Sequence, residues 1–179
     1  MIQYFRVRNI YLVGFMGAGK SSVGAALAAR LGHRFIDLDE RLRERFEASI
    51  PEIFAVNGEG VFREAETEEL ARCADDQGAV VATGGGTFCI EANREIIRRS
   101  KGISVYLDLP WEELDRRLAV DNSGRPKYDG AEQARCLFEE RRDEYRHADA
   151  VIALTGSEDP NEIADQVLEA LREVASCAI

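Results

Sequence analysis

Gly14-Phe15-Met16-Gly17-Ala18-Gly19-Lys20-Ser21 stands directly after an apolar run at residues 10–13 and directly before a helical pattern over residues 20–31. Its spacing is G-x-x-x-x-G-K-S, and each part answers a need of a bound polyphosphate. Gly14, Gly17 and Gly19, with Ala18 between the last two, let the backbone wrap closely with its N–H groups turned inward. The following helix offers the positive end of its dipole. Lys20 reaches the outer phosphates, the Ser21 hydroxyl is a ligand for Mg²⁺, and Ser22 continues the nucleotide-binding stretch. A mere glycine-rich turn carrying a solvated lysine would account for neither flank.

Outward from this loop, four further short apolar runs at residues 35–38, 79–82, 103–107 and 151–154 are bounded by Gly, Asp or Pro and read as buried strands. Helical spacing fills residues 20–31, 39–46, 51–73, 91–98, 111–118, 131–146 and 160–174. The alternation predicts an α/β fold of three layers, a five-stranded parallel sheet with helices on both faces. Parallel strands need crossovers, and right-handed crossovers place helices over each side. Ligands of such a sheet gather at the carboxyl ends of its strands. Residues 121–130, rich in Asn, Ser, Gly, Pro and Asp, read as a polar loop suited to a mobile cover.

The 179 residues, 45% of them apolar, suit a single domain over residues 1–179. With 23 basic against 33 acidic residues the net charge is −10, which argues against nucleic acid or an anionic membrane as partner. Any anion must be bound locally. Cys73, Cys89, Cys136 and Cys177 lack paired spacing, so neither a zinc site nor a disulfide framework is suggested, and reduced thiols in a cytoplasmic protein are expected. No apolar run is long enough to span a bilayer, and residues 1–9 lack the apolar core of a secretion signal. A soluble monomer is the expectation.

A phosphate loop does not name its acceptor, so the other polar residues must. Asp37-Leu38-Asp39 ends the second predicted strand, where alternation aims both carboxylates to one side. One could hold the waters of a metal and the other orient an attacking hydroxyl; equally, Asp39 could cap the helix opening at Glu40. Arg63 has Glu66 three residues on, which is either a surface ion pair or a brace for a guanidinium that clamps a carboxylate. Gly60 punctuates the change from one helix to the next. Gly84-Gly85-Gly86 follows the third strand and puts bare backbone at the edge where ligands collect. Arg117, Arg125 and Arg141 are each weak signals alone: Arg117 could cover an adenine ring, the others could hold phosphate or carboxylate, and all three could be solvated.

Together these segments resemble the shikimate kinase family. The likeness rests on residues 14–21, Asp-Leu-Asp at 37–39, Glu-Ile-Phe at 52–54, Gly-Glu-Gly-Val-Phe-Arg at 58–63, Thr-Gly-Gly-Gly at 83–86 and Arg-Pro at 125–126. It implies a nucleoside-monophosphate-kinase-like fold with a substrate-binding helical segment at about residues 38–65 and a lid at about 119–130. It also implies ATP-dependent phosphorylation of shikimate to shikimate 3-phosphate in aromatic amino acid biosynthesis, with Mg²⁺ as cofactor. By that resemblance Asp39 would hold the shikimate hydroxyls and take the proton of the one attacked, and Arg63 and Arg141 would grip the carboxylate. Gly84, Gly85 and Gly86 would back the ring, Lys20 and Arg125 would neutralise the moving phosphoryl group, and Asp37 would act on Mg²⁺ through water beside Ser21. Two departures stand out: Lys127-Tyr128 where the family usually continues Leu-Leu after Arg-Pro, and Glu47-Ala48-Ser49 where it usually has a glycine before residue 50. A kinase for another small hydroxy acid such as gluconate, or a non-catalytic nucleotide-binding module, are the alternative readings. A GTP switch would need an Asn-Lys-x-Asp segment that the chain lacks.

Overall fold

The computed structural model describes residues 8–120 and 131–177. Its strands β1 (Ile10–Val13), β2 (Arg34–Asp37), β3 (Ala79–Ala82), β4 (Ile103–Asp108) and β5 (Ala150–Ala153) form one parallel sheet in the order β2-β3-β1-β4-β5. Seven α-helices lie among the described residues: α1 (Lys20–Leu31), α2 (Leu38–Phe46), α3 (Ile50–Asp75), α4 (Glu91–Arg99), α5 (Trp111–Val120), α6 (Ala131–Tyr145) and α7 (Pro160–Cys177). A 3-10 turn at Thr87–Cys89, which the sequence did not announce, joins β3 to α4.

The three inner runs became strands because both their faces are covered, whereas each edge strand buries fully only one residue, Ile36 in β2 and Ile152 in β5. Ile10, Tyr11, Leu12 and Val13 point alternately to opposite sides, yet all four are wholly buried. Helices α1 and α7 pack together against β2, β3 and β5, while α4 packs on β4 and α3. The strand order reverses at β1, so the loop leaving β1 emerges into the crevice between its neighbours, with the ends of β3 and β2 beside it. The phosphate-loop octet, the triglycine and Asp37 therefore share one edge.

A second, smaller cluster lies apart from the sheet. Leu42, Ile53, Phe62 and Ala65 form it, with Phe46, Ala48, Ile50 and Phe54 packed around them; the Phe54 and Phe62 rings are 4.4 Å apart. It joins α2 to α3, the predicted substrate-binding segment. Ser49 starts α3 with a reciprocal cap, its Oγ accepting from the Glu52 amide at 3.5 Å while Glu52 accepts from the Ser49 amide at 2.8 Å. Glu47, in the segment where a glycine was expected, takes a left-handed backbone with φ 50°.

Two sequence readings need correction. The break in α3 falls at Gly58, with φ 79° and ψ 167°, whereas Gly60 stays within the helix. The second strand ends at Asp37 rather than running to Leu38, and α2 begins at Leu38. Asp37, not Asp39, caps this helix, because its Oδ1 accepts from the Glu40 amide at 3.2 Å. The two carboxylates thus flank a strand-to-helix joint instead of projecting from one strand.

Candidate active site

The loop after β1 has the backbone that its glycines were read to permit. Gly14, Gly17 and Gly19 have φ of 142°, 79° and 91°, a region that side chains with a Cβ avoid. Gly19 stands at the N-cap of α1 with no side-chain cap over the helix's first amides, which suits an anion at that end. Ala18 is buried and Ser22 is exposed on the first turn of α1. Lys20 curls back over the loop and donates from Nζ to the carbonyls of Gly14 at 2.7 Å and Phe15 at 2.9 Å.

Beside it, the Ser21 hydroxyl donates to Asp37 Oδ2 at 2.5 Å. The cap to Glu40 fixes the Asp37 carboxylate in this position, with one oxygen facing the helix and the other facing the loop. A hydroxyl and a carboxylate in contact are hard oxygen donors of the kind Mg²⁺ prefers. Among the described residues no group of three or more His, Cys, Asp and Glu is placed to hold a metal. A cation here would complete its shell with phosphate oxygens and water.

The triglycine is the meeting point of the remaining candidates. A Cβ at Gly84 would lie 2.3 Å from Glu66 Oε1, 3.0 Å from Thr87 Oγ1 and 3.1 Å from Asp39 Oδ1. One at Gly86 would lie 2.7 Å from both terminal nitrogens of Arg63. One at Gly85 would meet the Met16 amide of the phosphate loop at 3.5 Å and Arg141 Nη1 at 3.7 Å. Arg141 donates from that nitrogen to the Gly85 carbonyl at 3.2 Å. Asp39, Arg63 and Arg141 thus come from α2, α3 and α6 to one strip of backbone, whose other border is the phosphate loop.

Arg63 is held as well as placed. Its Nη1 donates to Glu66 Oε2 at 2.6 Å, and Glu59 accepts weakly at 3.4 Å. Glu66 is wholly buried, so the pair is no surface ion pair. Burial pushes the Glu66 carboxyl above its usual range; the Arg63 charge and a bond from Thr87 Oγ1 at 2.6 Å pull it back, while the Asp39 charge adds to the rise. The net direction is upward.

Arg117 ties the nucleotide side together. It donates to the Gly17 carbonyl at 3.2 Å and the Gly156 carbonyl at 3.4 Å, and its Nε bonds Glu113 at 3.0 Å. Hydrogen bonds from Arg116 and Arg117 hold the Glu113 carboxyl down at about 2. Arg117 therefore spans from the phosphate loop to the turn at residues 155–158. Arg125 and the predicted lid core at residues 121–130 lie outside the described residues.

The family model described as shikimate kinase matches residues 16–172. The chain belongs to the shikimate kinase family. A shikimate kinase of Synechococcus sp. (strain RCC307) is 41% identical over 166 residues, covering 91% of this chain and 84% of its own. That of Persephonella marina is 37% identical over 168 residues, covering 93% of this chain and all of its own. Among solved structures, shikimate kinase from Acinetobacter baumannii in complex with shikimate has a TM-score of 0.88 at 35% identity, covering 97% of this chain and 98% of that one. A gluconokinase from Sinorhizobium meliloti, at 22% identity and a TM-score of 0.57, shares the fold alone.

In this member of the shikimate kinase family two site residues went unmarked in the sequence. Thr87 directly follows the triglycine and reaches Glu66. Tyr145 is wholly buried, and its hydroxyl donates to the same Gly85 carbonyl that Arg141 uses. It stands four residues after Arg141, hence on the same helix face, and that spacing was a signal open to reading.

Proposed function

We infer that this shikimate kinase family member transfers the terminal phosphoryl group of ATP to a hydroxyl of shikimate, giving shikimate 3-phosphate and ADP. The observation that carries the inference is the convergence of Asp39, Arg63 and Arg141 on Gly84–Gly86 with the Met16 amide at the strip's border. A hydroxy acid clamped there by two guanidiniums lies end to end with a triphosphate on the loop.

In the proposed reaction the acceptor carboxylate takes hydrogen bonds from Arg63 and Arg141, replacing part of what they now give to the protein. Asp39 accepts the proton of the attacking hydroxyl as its oxygen bonds to the γ-phosphorus and the bond to the β–γ bridging oxygen breaks. Lys20 turns from the Gly14 and Phe15 carbonyls to the β and γ oxygens, where charge grows in the transition state. Ser21 directly, and Asp37 through water, would hold Mg²⁺, which when bound neutralises charge on the phosphate oxygens. Arg117 lies along the base, and by the family resemblance Arg125 would neutralise charge on the transferred group. Cytoplasmic location and a monomeric state belong to the same proposal.

The test is ADP production from MgATP with and without shikimate, with quinate and gluconate in parallel. We expect release that depends on shikimate and is weak with the other two. Equal or faster release with gluconate, or ATP binding with no acceptor-dependent release, would overturn the reading. No observation in the structure favours the gluconate or the non-catalytic alternative.

Gly86→Ala is a sharper local probe. The added methyl would meet the far end of the Arg63 side chain, which can swing aside, so the fold should survive while the clamp is displaced. The expected result is a shikimate KM raised by roughly tenfold or more, the worth of a hydrogen bond to a charged group, in a protein that still folds but melts lower because the buried Glu66 carboxylate keeps a weaker partner. Gly84 differs, because its neighbour Glu66 is buried and has no room to retreat.

A further inference from the structure

Among the buried polar groups beside the acceptor strip, Thr87 has the most specific arrangement. It is wholly buried, as is Glu66, and its hydroxyl donates to Glu66 Oε1 at 2.6 Å while Glu66 Oε2 accepts from Arg63 at 2.6 Å. Each carboxylate oxygen thus has one strong partner, one from the turn after β3 and one from α3. Thr87 is itself fixed: its amide donates to the Gly84 carbonyl at 3.2 Å, and its carbonyl accepts from Asn93 Nδ2 at 2.9 Å. Asn93 is also wholly buried. A relay therefore runs from the start of α4 through Thr87 and Glu66 to the guanidinium.

We propose that Thr87 is a positioning residue for the acceptor clamp, setting the plane of the Glu66 carboxylate and through it the direction in which Arg63 presents its nitrogens. Resting on the shikimate reading above, it adds a residue that touches neither substrate. A carboxylate held at one oxygen only is free to rotate about its last bond, and the guanidinium paired with it loses its fixed plane. Geometry that must match a planar carboxylate within a fraction of an ångström suffers from that freedom.

The charge state of Glu66 gives the second readout. The groups facing it are Arg63 on α3, Asp39 on α2 and Thr87 on the turn, with Gly84 leaving room between them. Only the ionised carboxylate accepts from both Arg63 and Thr87. Removing the hydroxyl takes away a bond that favours the ionised form, so Glu66 takes up its proton at a higher pH than in the wild type.

The experiment measures KM for shikimate, KM for ATP and kcat across a pH series for the wild type, Thr87→Val, Thr87→Ala and Thr87→Ser. For Thr87→Val we expect shikimate KM to rise roughly tenfold, with the ATP KM unchanged and the acidic rise in shikimate KM moved to higher pH. Thr87→Ser should return the shikimate KM and its pH dependence toward wild type. Thr87→Ala, which adds no bulk, replaces Thr87→Val should the latter fail to fold. A lower melting temperature with unchanged shikimate KM and pH profile would show a purely structural role and overturn the proposal, as would equal rises in both KM values or failure of Thr87→Ser to restore. A wild type that does not turn over shikimate would instead overturn the functional reading.

Discussion

Lys20→Met is expected to lower kcat by about three orders of magnitude, equivalent to about 4 kcal/mol of lost transition-state stabilisation. The lysine is the one cation that α1 places directly at the phosphate loop, and methionine preserves most of its length and apolar stem. Its ammonium bonds two carbonyls of the loop, Gly14 and Phe15, and lies partly exposed. Losing those bonds should cost little stability, since the loop's shape rests on glycine backbone angles rather than on the side chain. Coupled measurement of ADP release and a thermal melt separate the two effects. A kcat within tenfold of wild type would remove Lys20 from the chemistry.

Asp39→Asn is expected to lower kcat by about two to four orders of magnitude, the usual range for a positioned general base. Asparagine keeps the shape and can still bond a hydroxyl, so the shikimate KM should move by less than about fivefold. Asp39 stands in the first turn of α2 while Asp37 supplies the cap, so the substitution leaves helix initiation untouched. A variant that keeps kcat within tenfold of wild type would show that another group takes the proton.

Strand and helix order was legible in the sequence because each strand is short, apolar and punctuated, and the β1 loop carries a pattern with few other uses. The Asp37 boundary was misread by one residue for a physical reason. Phe35, Ile36 and Leu38 are all apolar, and a run of that kind does not say where extended backbone turns helical. The better signal was chemical: Asp37 followed three residues later by Glu40 resembles a helix start. The displaced break in α3 has a similar origin. Gly58 and Gly60 are equally permissive, and only packing of Phe62 onto Ile53 and Phe54 decides which of them unwinds.

The character of the Arg63–Glu66 pair could not be read from spacing. An i, i+3 pair looks the same on a solvated face and on a buried one, and burial here arises because that face of α3 meets the triglycine, which lies about twenty residues further along the chain. The three glycines were read as room for a ligand. They prove also to be room for the protein's own Glu66 and Arg63, and the role of Thr87 follows from that crowding.

The small aromatic cluster under Phe54 and Phe62 divides the responsibilities of the cleft. Substitutions there would tilt the segment bearing Arg63 while leaving Ile10–Val13 and the phosphate loop in place, because the two sets of side chains share no buried member. Effects on acceptor choice and on nucleotide handling should therefore combine additively in double variants. A lineage of such enzymes could retune one partner without renegotiating the other.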